Sequence, residues 1–300
     1  MPRWLRLGTF AVAVVGVLLC VGLVPRLLGL LRTDPFSDVA AYYQAAQRLN
    51  SGQPLYGAGI DVNASEFYRY PPLLAIAFQP LTAFPYEVVA AGWGILMAGS
   101  LAATIAVLGT RRRATWILMA TLAFPIAWSL AIGQAQVLVT LLLAIARPWS
   151  VALAGQLKVL PALAAIYWVA RREWGALGRF ALWSGGLMAL QAILQPEATL
   201  DFFRVTNLEQ VGNIDNLSPY GISPVLWGVL AAAGLVLAFA AGRTRFGWAI
   251  AVSCSVLVTP RLLWYLLMAL LAAIGRPGEP AAAAPASDRR VSDLAETGPR

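Results

Sequence analysis

Two carboxylates and one lysine stand out in a chain that uses charge sparingly. The stretch DPFSDVAAYY places Asp34 and Asp38 four residues apart, just after a long apolar segment, with Tyr42 and Tyr43 following. The stretch AGQLKVLP holds Lys158, the single lysine among 22 basic residues. A carboxylate at a water–lipid boundary, ringed by tyrosines, suits a general base that takes a proton from a hydroxyl. Capping of a following helix is the competing role, and it fits Asp34 better than Asp38. A cation inside an apolar segment costs about 2.5–3.5 kcal/mol on insertion scales. Lys158 therefore either neutralises an anionic ligand such as a lipid phosphate, snorkels to an interface, or pairs with a buried carboxylate. The chain has no histidine, so acid–base work falls to carboxylates, tyrosines or that lysine.

Other polar residues cluster at a few places. Arg69-Tyr70-Pro71-Pro72 ends a polar loop, with proline suited to a helix's first turn. Gly133-Gln134-Ala135-Gln136 sets two amides at a helix end, where they either contact a polyol or simply accompany helix termination. The stretch from Asp201 to Ser218 offers Arg204, Asn207 and Asn216, the last within an Asn-Leu-Ser sequon. Pro260-Arg261 places a further arginine where it serves as a phosphate contact or as an ordinary interfacial residue. The sequence holds no Walker loop, no GxGxxG and no metal-ligand cluster, so neither a metal nor a cofactor is expected.

The surroundings of these residues are a membrane protein's. Of 300 residues, 59% are hydrophobic and 12% charged, against roughly 45–50% and 25% in soluble domains. The net charge of +8 reads as arginine-rich cytoplasmic loops and not as nucleic-acid binding. Cys20 and Cys254 lie in apolar runs and imply no disulfide. The N-terminal apolar stretch has no small-residue cleavage site and reads as a signal anchor. Spans are expected near 8–30, 86–109, 114–132, 134–147, 177–194, 224–241, 246–259 and 261–275. The fold class expected is all-α: a polytopic integral membrane protein with about eight spanning helices plus re-entrant or interfacial helices.

Arginines orient these spans, putting Arg111–Arg113, Arg147, Arg171, Arg172, Arg243 and Arg245 in the cytoplasm with both termini. Outer loops then fall at 31–70 and 195–223, within a membrane domain of residues 1–276. Residues 277–300 read as a disordered cytoplasmic tail. Residues 38–49 suit a helix whose stripe of Val39, Tyr42, Tyr43, Ala46 and Leu49 rests on the membrane surface. Residues 71–84 are too short to cross. Residues 149–170, between Arg147 and Arg171, suit either one plain span or a helix–break–helix hairpin turning within the bilayer.

Four stretches in order, SDVAAYYQAAQRLNSGQPLY, YPPLLAIAFQPL, GQAQVLVTLLL and AGQLKVLP, together resemble glycosyltransferase family 87. The resemblance covers residues 31–172 and only loosely the second half. It implies a GT-C-like bundle in the plasma membrane and an inverting transferase with its active site facing outward. The implied donor is a polyprenyl-phosphate sugar, with mannose as the implied sugar and a lipid or glycan as acceptor. Asp38 would be the base. Lys158, aided by Arg69 or Arg261, would hold the donor phosphate. Tyr42, Tyr43, Tyr70, Gln134, Gln136 and Asn216 complete the expected binding set. A transporter or flippase for a lipid-linked or polar solute is the competing class, since broken helices and an intramembrane lysine suit it as well. An inactive relative is a third reading.

Overall fold

The computed structural model describes residues 3–56, 68–205, 216–275 and 277. Among these every regular element is helical, as the composition predicts. Asp61, Glu66, Asn207 and nearly all of the expected tail lie outside the described residues.

Each of the eight expected spans coincides with helix. Four are long and apolar enough to cross a bilayer: α1 (Arg3–Thr33, which runs on almost directly into α2, Ser37–Asn50), α4 (Tyr86–Leu108), α10 (Trp174–Leu194) and α12 (Pro224–Ala241). A fifth crossing is possible if α5 (Arg113–Thr121) and α6 (Ala123–Ala131) count as one, bent by 66° between them. The bend has a cause: Pro125, in the first turn of α6, has no N–H to offer the carbonyl of Thr121. The remaining three are shorter than expected. They are α7 (Gln136–Ile145), α13 (Gly247–Leu257) and a 3-10 helix, Trp264–Ile274. At 1.5 Å per residue α7 is only about 15 Å long. These short helices form the buried centre, packed around Val137, Val139, Leu143, Met268 and Leu271. The long helices line the outside, and α12 exposes Val225, Val229 and Val236 broadly. Apolar surface on that scale faces hydrocarbon, not water.

Residues 148–171 form a hairpin and not one plain span. Helix α8 (Pro148–Leu157) ends where Lys158 adopts an extended backbone, φ −148° and ψ 122°. A 3-10 helix (Leu160–Ala165) and α9 (Ile166–Arg171) then lead back. A Cβ placed on Gly155 would lie 2.8 Å from the Ala162 Cβ. In a continuous helix residues seven apart are about 10.5 Å apart along the axis, so the chain reverses at Lys158. Two buried amides hold the hairpin in place. Gln191 on α10 donates to the Gln156 side chain at 2.6 Å and accepts from the Leu73 backbone N–H at 3.0 Å.

Helix α2 (Ser37–Asn50) differs from expectation in two ways. Its apolar stripe does not rest on a membrane surface: Val39, Tyr42, Ala45 and Ala46 are buried against protein. Its start also carries no side-chain cap. Phe36 occupies the N-cap position in the left-handed region, φ 59°. The backbone N–H groups of Phe36 and Asp38 donate instead to the carbonyls of Ala131 and Ile132. The end of α6 thus satisfies the donors that Asp34 or Ser37 was expected to satisfy.

Candidate active site

The turn between α6 and α7 is the point to which α2 is tied. Gly133 takes φ +67°, and a Cβ there would fall 2.2 Å from a Val39 methyl, so only glycine lets α2 approach this closely. Its carbonyl accepts from the Trp93 indole at 2.7 Å. Gln134 is fully buried, and its amide is heavily used. Oε1 accepts from the hydroxyls of Tyr42 and Tyr70, each at 2.9 Å. Nε2 donates to the Asp38 carboxylate. With both oxygen lone pairs filled by hydroxyls, the amide can point only its nitrogen at Asp38. The Tyr42 hydroxyl in turn accepts from the Ala135 backbone N–H at 3.2 Å. Asp38 is thereby held in one orientation by a buried network.

Beyond Tyr70 lies a cavity of about 590 Å³. Its walls include Lys158, Arg69 and Arg261, with Tyr70, Tyr265 and Gln136 as further polar members. No carboxylate is among the described wall residues, and the rest of the wall is largely apolar or aromatic, including Phe202, Phe203, Trp227 and Leu266. Lys158 reaches the cavity because the chain reverses under it. Its ammonium sits 4.7 Å from the Tyr265 ring centre and 5.3 Å from that of Tyr70, a cation held by two ring faces. Arg69 is positioned by a tight polar turn. The Tyr68 hydroxyl donates to the Pro71 carbonyl and accepts from the Ala75 N–H, while Tyr56 donates to the Tyr70 carbonyl. Burial, with the Arg261 charge adding to it, pulls the Arg69 guanidinium down to about 10. Two guanidinium groups close enough to disfavour each other make a place for an anion.

The base side and the cation side meet at Tyr70. Its hydroxyl donates to Gln134, which holds Asp38, and its ring face lies under Lys158. The charges of Lys158 and Arg69 both act on the Asp38 carboxylate. Asp38 itself is not a wall residue of the cavity.

The expected binding set divides. Lys158, Arg69, Arg261, Tyr70 and Gln136 line the cavity. Gln136 is 2% exposed, and its Oε1 has no hydrogen-bond partner among the described residues. A buried acceptor left unmade costs about 1–3 kcal/mol, which marks a position kept for a ligand or an ordered water. Tyr42, Tyr43, Gln134 and Asn216 do not line the cavity. Tyr42 and Gln134 serve the network around Asp38. Tyr43 donates to the Phe84 carbonyl at 2.9 Å, fastening α2 to the segment before α4. The Asn216 side chain binds backbone on both sides of Arg261. Tyr265 was not anticipated from sequence; within an apolar run, nothing marks one tyrosine as a cation partner. Gln156 and Gln191 were also missed, being amides in apolar helices with no spacing to connect them.

The sequence profile of glycosyltransferase family 87 matches residues 67–287, most of the chain. The chain belongs to glycosyltransferase family 87. Every cavity residue named above except Tyr56 falls within the family 87 match, whereas Asp38 and α2 precede it. The match also extends over the second half, where the motifs alone had shown only a loose likeness. Among curated proteins, the chain is similar to a polyprenol-phosphate-mannose-dependent alpha-(1-2)-phosphatidylinositol pentamannoside mannosyltransferase of Mycolicibacterium smegmatis. The two are 27% identical over 207 residues, 63% of this chain and 50% of that protein. The chain thus spans about half the length of the curated relative it matches. No solved structure matches it significantly.

Proposed function

We propose that this family 87 protein transfers a sugar, mannose on the precedent of its relative, from a polyprenyl-phosphate donor to a lipid or glycan acceptor. The observation that carries this reading is the chemical makeup of the cavity. Three cations converge in a pocket whose other walls are mostly apolar, which suits a ligand with one anionic group on a hydrocarbon chain. Asp38 takes the proton of the acceptor hydroxyl, and that oxygen attacks the sugar's anomeric carbon. The bond from that carbon to the phosphate oxygen breaks, inverting the configuration. The polyprenyl phosphate leaves with the bonding electron pair. Lys158, Arg69 and Arg261 neutralise the departing charge in a site shielded from water, where fixed cations act most strongly. Gln136 meets a sugar hydroxyl.

In this reading the cavity opens toward the outer face of the plasma membrane, both termini are cytoplasmic, and the surrounding membrane lipids complete the site. The experiment is transfer in sealed membrane vesicles supplied with labelled polyprenyl-phosphomannose. Wild type transfers the label, and Asp38→Asn does not. Full activity in Asp38→Asn would remove the base assignment. Binding without transfer in the wild type would point to an inactive relative, and movement of the intact lipid across the bilayer would point to a transporter.

A further inference from the structure

The sequence marks Asn216 as part of a sequon and it stands in the expected binding set; its hydrogen bonds show another use. Its Nδ2 donates to the Pro260 carbonyl at 2.9 Å. Its Oδ1 accepts from the Leu262 backbone N–H at 3.0 Å and from the Ser218 N–H at 2.9 Å. Beside it the Leu217 N–H donates to the Leu262 carbonyl at 2.8 Å. One amide therefore grips the residues immediately before and after Arg261, and a neighbouring backbone bond adds a third point. Arg261 stands between the gripped positions, with its side chain in the cavity wall beside Arg69.

The segment that carries Arg261 needs such a device. Residues 260–263 lie between the last helix-type hydrogen bonds of α13, made by Val258 and Thr259, and the 3-10 helix that begins at Trp264, so no helical ladder fixes them. Pro260 has no N–H to offer, and the carbonyl it does offer goes to Asn216. On an unheld connection the Arg261 backbone would sample many positions, and ordering it would weaken ligand binding. A side chain that supplies both a donor and an acceptor is required to hold a carbonyl and an N–H two residues apart, and asparagine supplies both.

We propose that Asn216 is a positioning residue that fixes Arg261 for the ligand's phosphate, so that residues 216–218 set the strength of the anion site. This rests on the reading of the cavity as a site for a polyprenyl phosphate. It assigns the sequon asparagine to the protein's own backbone.

The test measures binding of a polyprenyl phosphate to the purified full chain in detergent, by ligand-dependent thermal shift and by titration. Wild type binds. Arg261→Gln weakens binding about tenfold or more, and Asn216→Ala about fivefold, the scale of one lost hydrogen-bonded constraint. The deciding measurement is the double variant. Asn216→Ala placed on Arg261→Gln causes no further loss, because its effect passes through Arg261. Asn50→Ala, which removes a comparable polar clamp between α2 and residues 79–82, leaves binding unchanged in either background. If Asn216→Ala does not fold, Asn216→Asp keeps the two acceptor bonds, loses the donor to Pro260, and gives an intermediate affinity that is again absent in the Arg261→Gln background. Equal losses from Asn216→Ala with and without Arg261 overturn the positioning role while leaving the cavity reading intact. A wild type that binds no polyprenyl phosphate overturns that reading, and this inference with it.

Discussion

Gln134 and Gln136 are two residues apart on the same turn, both buried, and they are used in opposite ways. Gln134 gives its oxygen to two tyrosines and its nitrogen to Asp38. Gln136 faces the cavity with an acceptor that no described residue engages. The difference separates two regions. Around Asp38 the protein has already made its hydrogen bonds, as a preorganised reactive group requires. Around Lys158, Arg69 and Arg261 it has gathered charge and space, with the Gln136 acceptor open beside them among the described residues, as a binding site requires.

Substitutions sharpen or break this contrast, in descending order of effect. Asp38→Asn is expected to reduce sugar transfer by about 100-fold or more while polyprenyl-phosphate binding stays near wild type; a parallel loss of binding would merge the two regions. Lys158→Met should weaken binding of the donor by about tenfold or more, since removing a desolvated charge contact costs about 2 kcal/mol or more, as titration would show. Gly133→Ala should lower unfolding stability by about 1–3 kcal/mol through overpacking against Val39, with Val39→Ala restoring part of it in thermal denaturation.

The amide pair gives the next comparison. Gln134→Met should lower stability by about 1–3 kcal/mol by stranding the tyrosine and carboxylate partners. Gln136→Met should leave stability equal or higher and reduce affinity for the sugar-bearing donor by about fivefold. It should not affect a polyprenyl phosphate that lacks the sugar. Equal behaviour of the two variants would end the distinction.

The sequence carried the helices and several of the charged site residues because composition, arginine placement and lone charges are local signals. Lys158 and a break between Arg147 and Arg171 were legible for that reason, as was Pro72 at the start of α3 (Pro72–Phe78). Relations between distant segments were not. Nothing local tells that the stripe on α2 faces protein instead of lipid, that Tyr265 lies over Lys158, or that Asn216 grips the residues around Arg261. Those facts depend on which apolar faces meet, and in a membrane chain nearly every face is apolar, so periodicity loses its power to say which side is inside. Helix length misled for a related reason. The short central helices are surrounded by protein, and hydropathy does not distinguish that setting from lipid.

The reversal at Lys158 also governs parity. Arg69, from the segment before α4, and Arg261, from the segment after α13, line one cavity, as does Trp227 near the start of α12. In the proposed topology these segments emerge on the same face of the membrane. Between Arg69 and Trp227 the chain passes through α4, the bent α5–α6 pair, α7, the hairpin and α10. Counting α7 as a crossing, four passages return it to the starting face only if the hairpin adds none. A straight helix at residues 148–171 would make the sum odd and carry Arg261 to the opposite face from Arg69. One turn at a lysine thus decides whether the two ends of the cavity can exist in the same compartment.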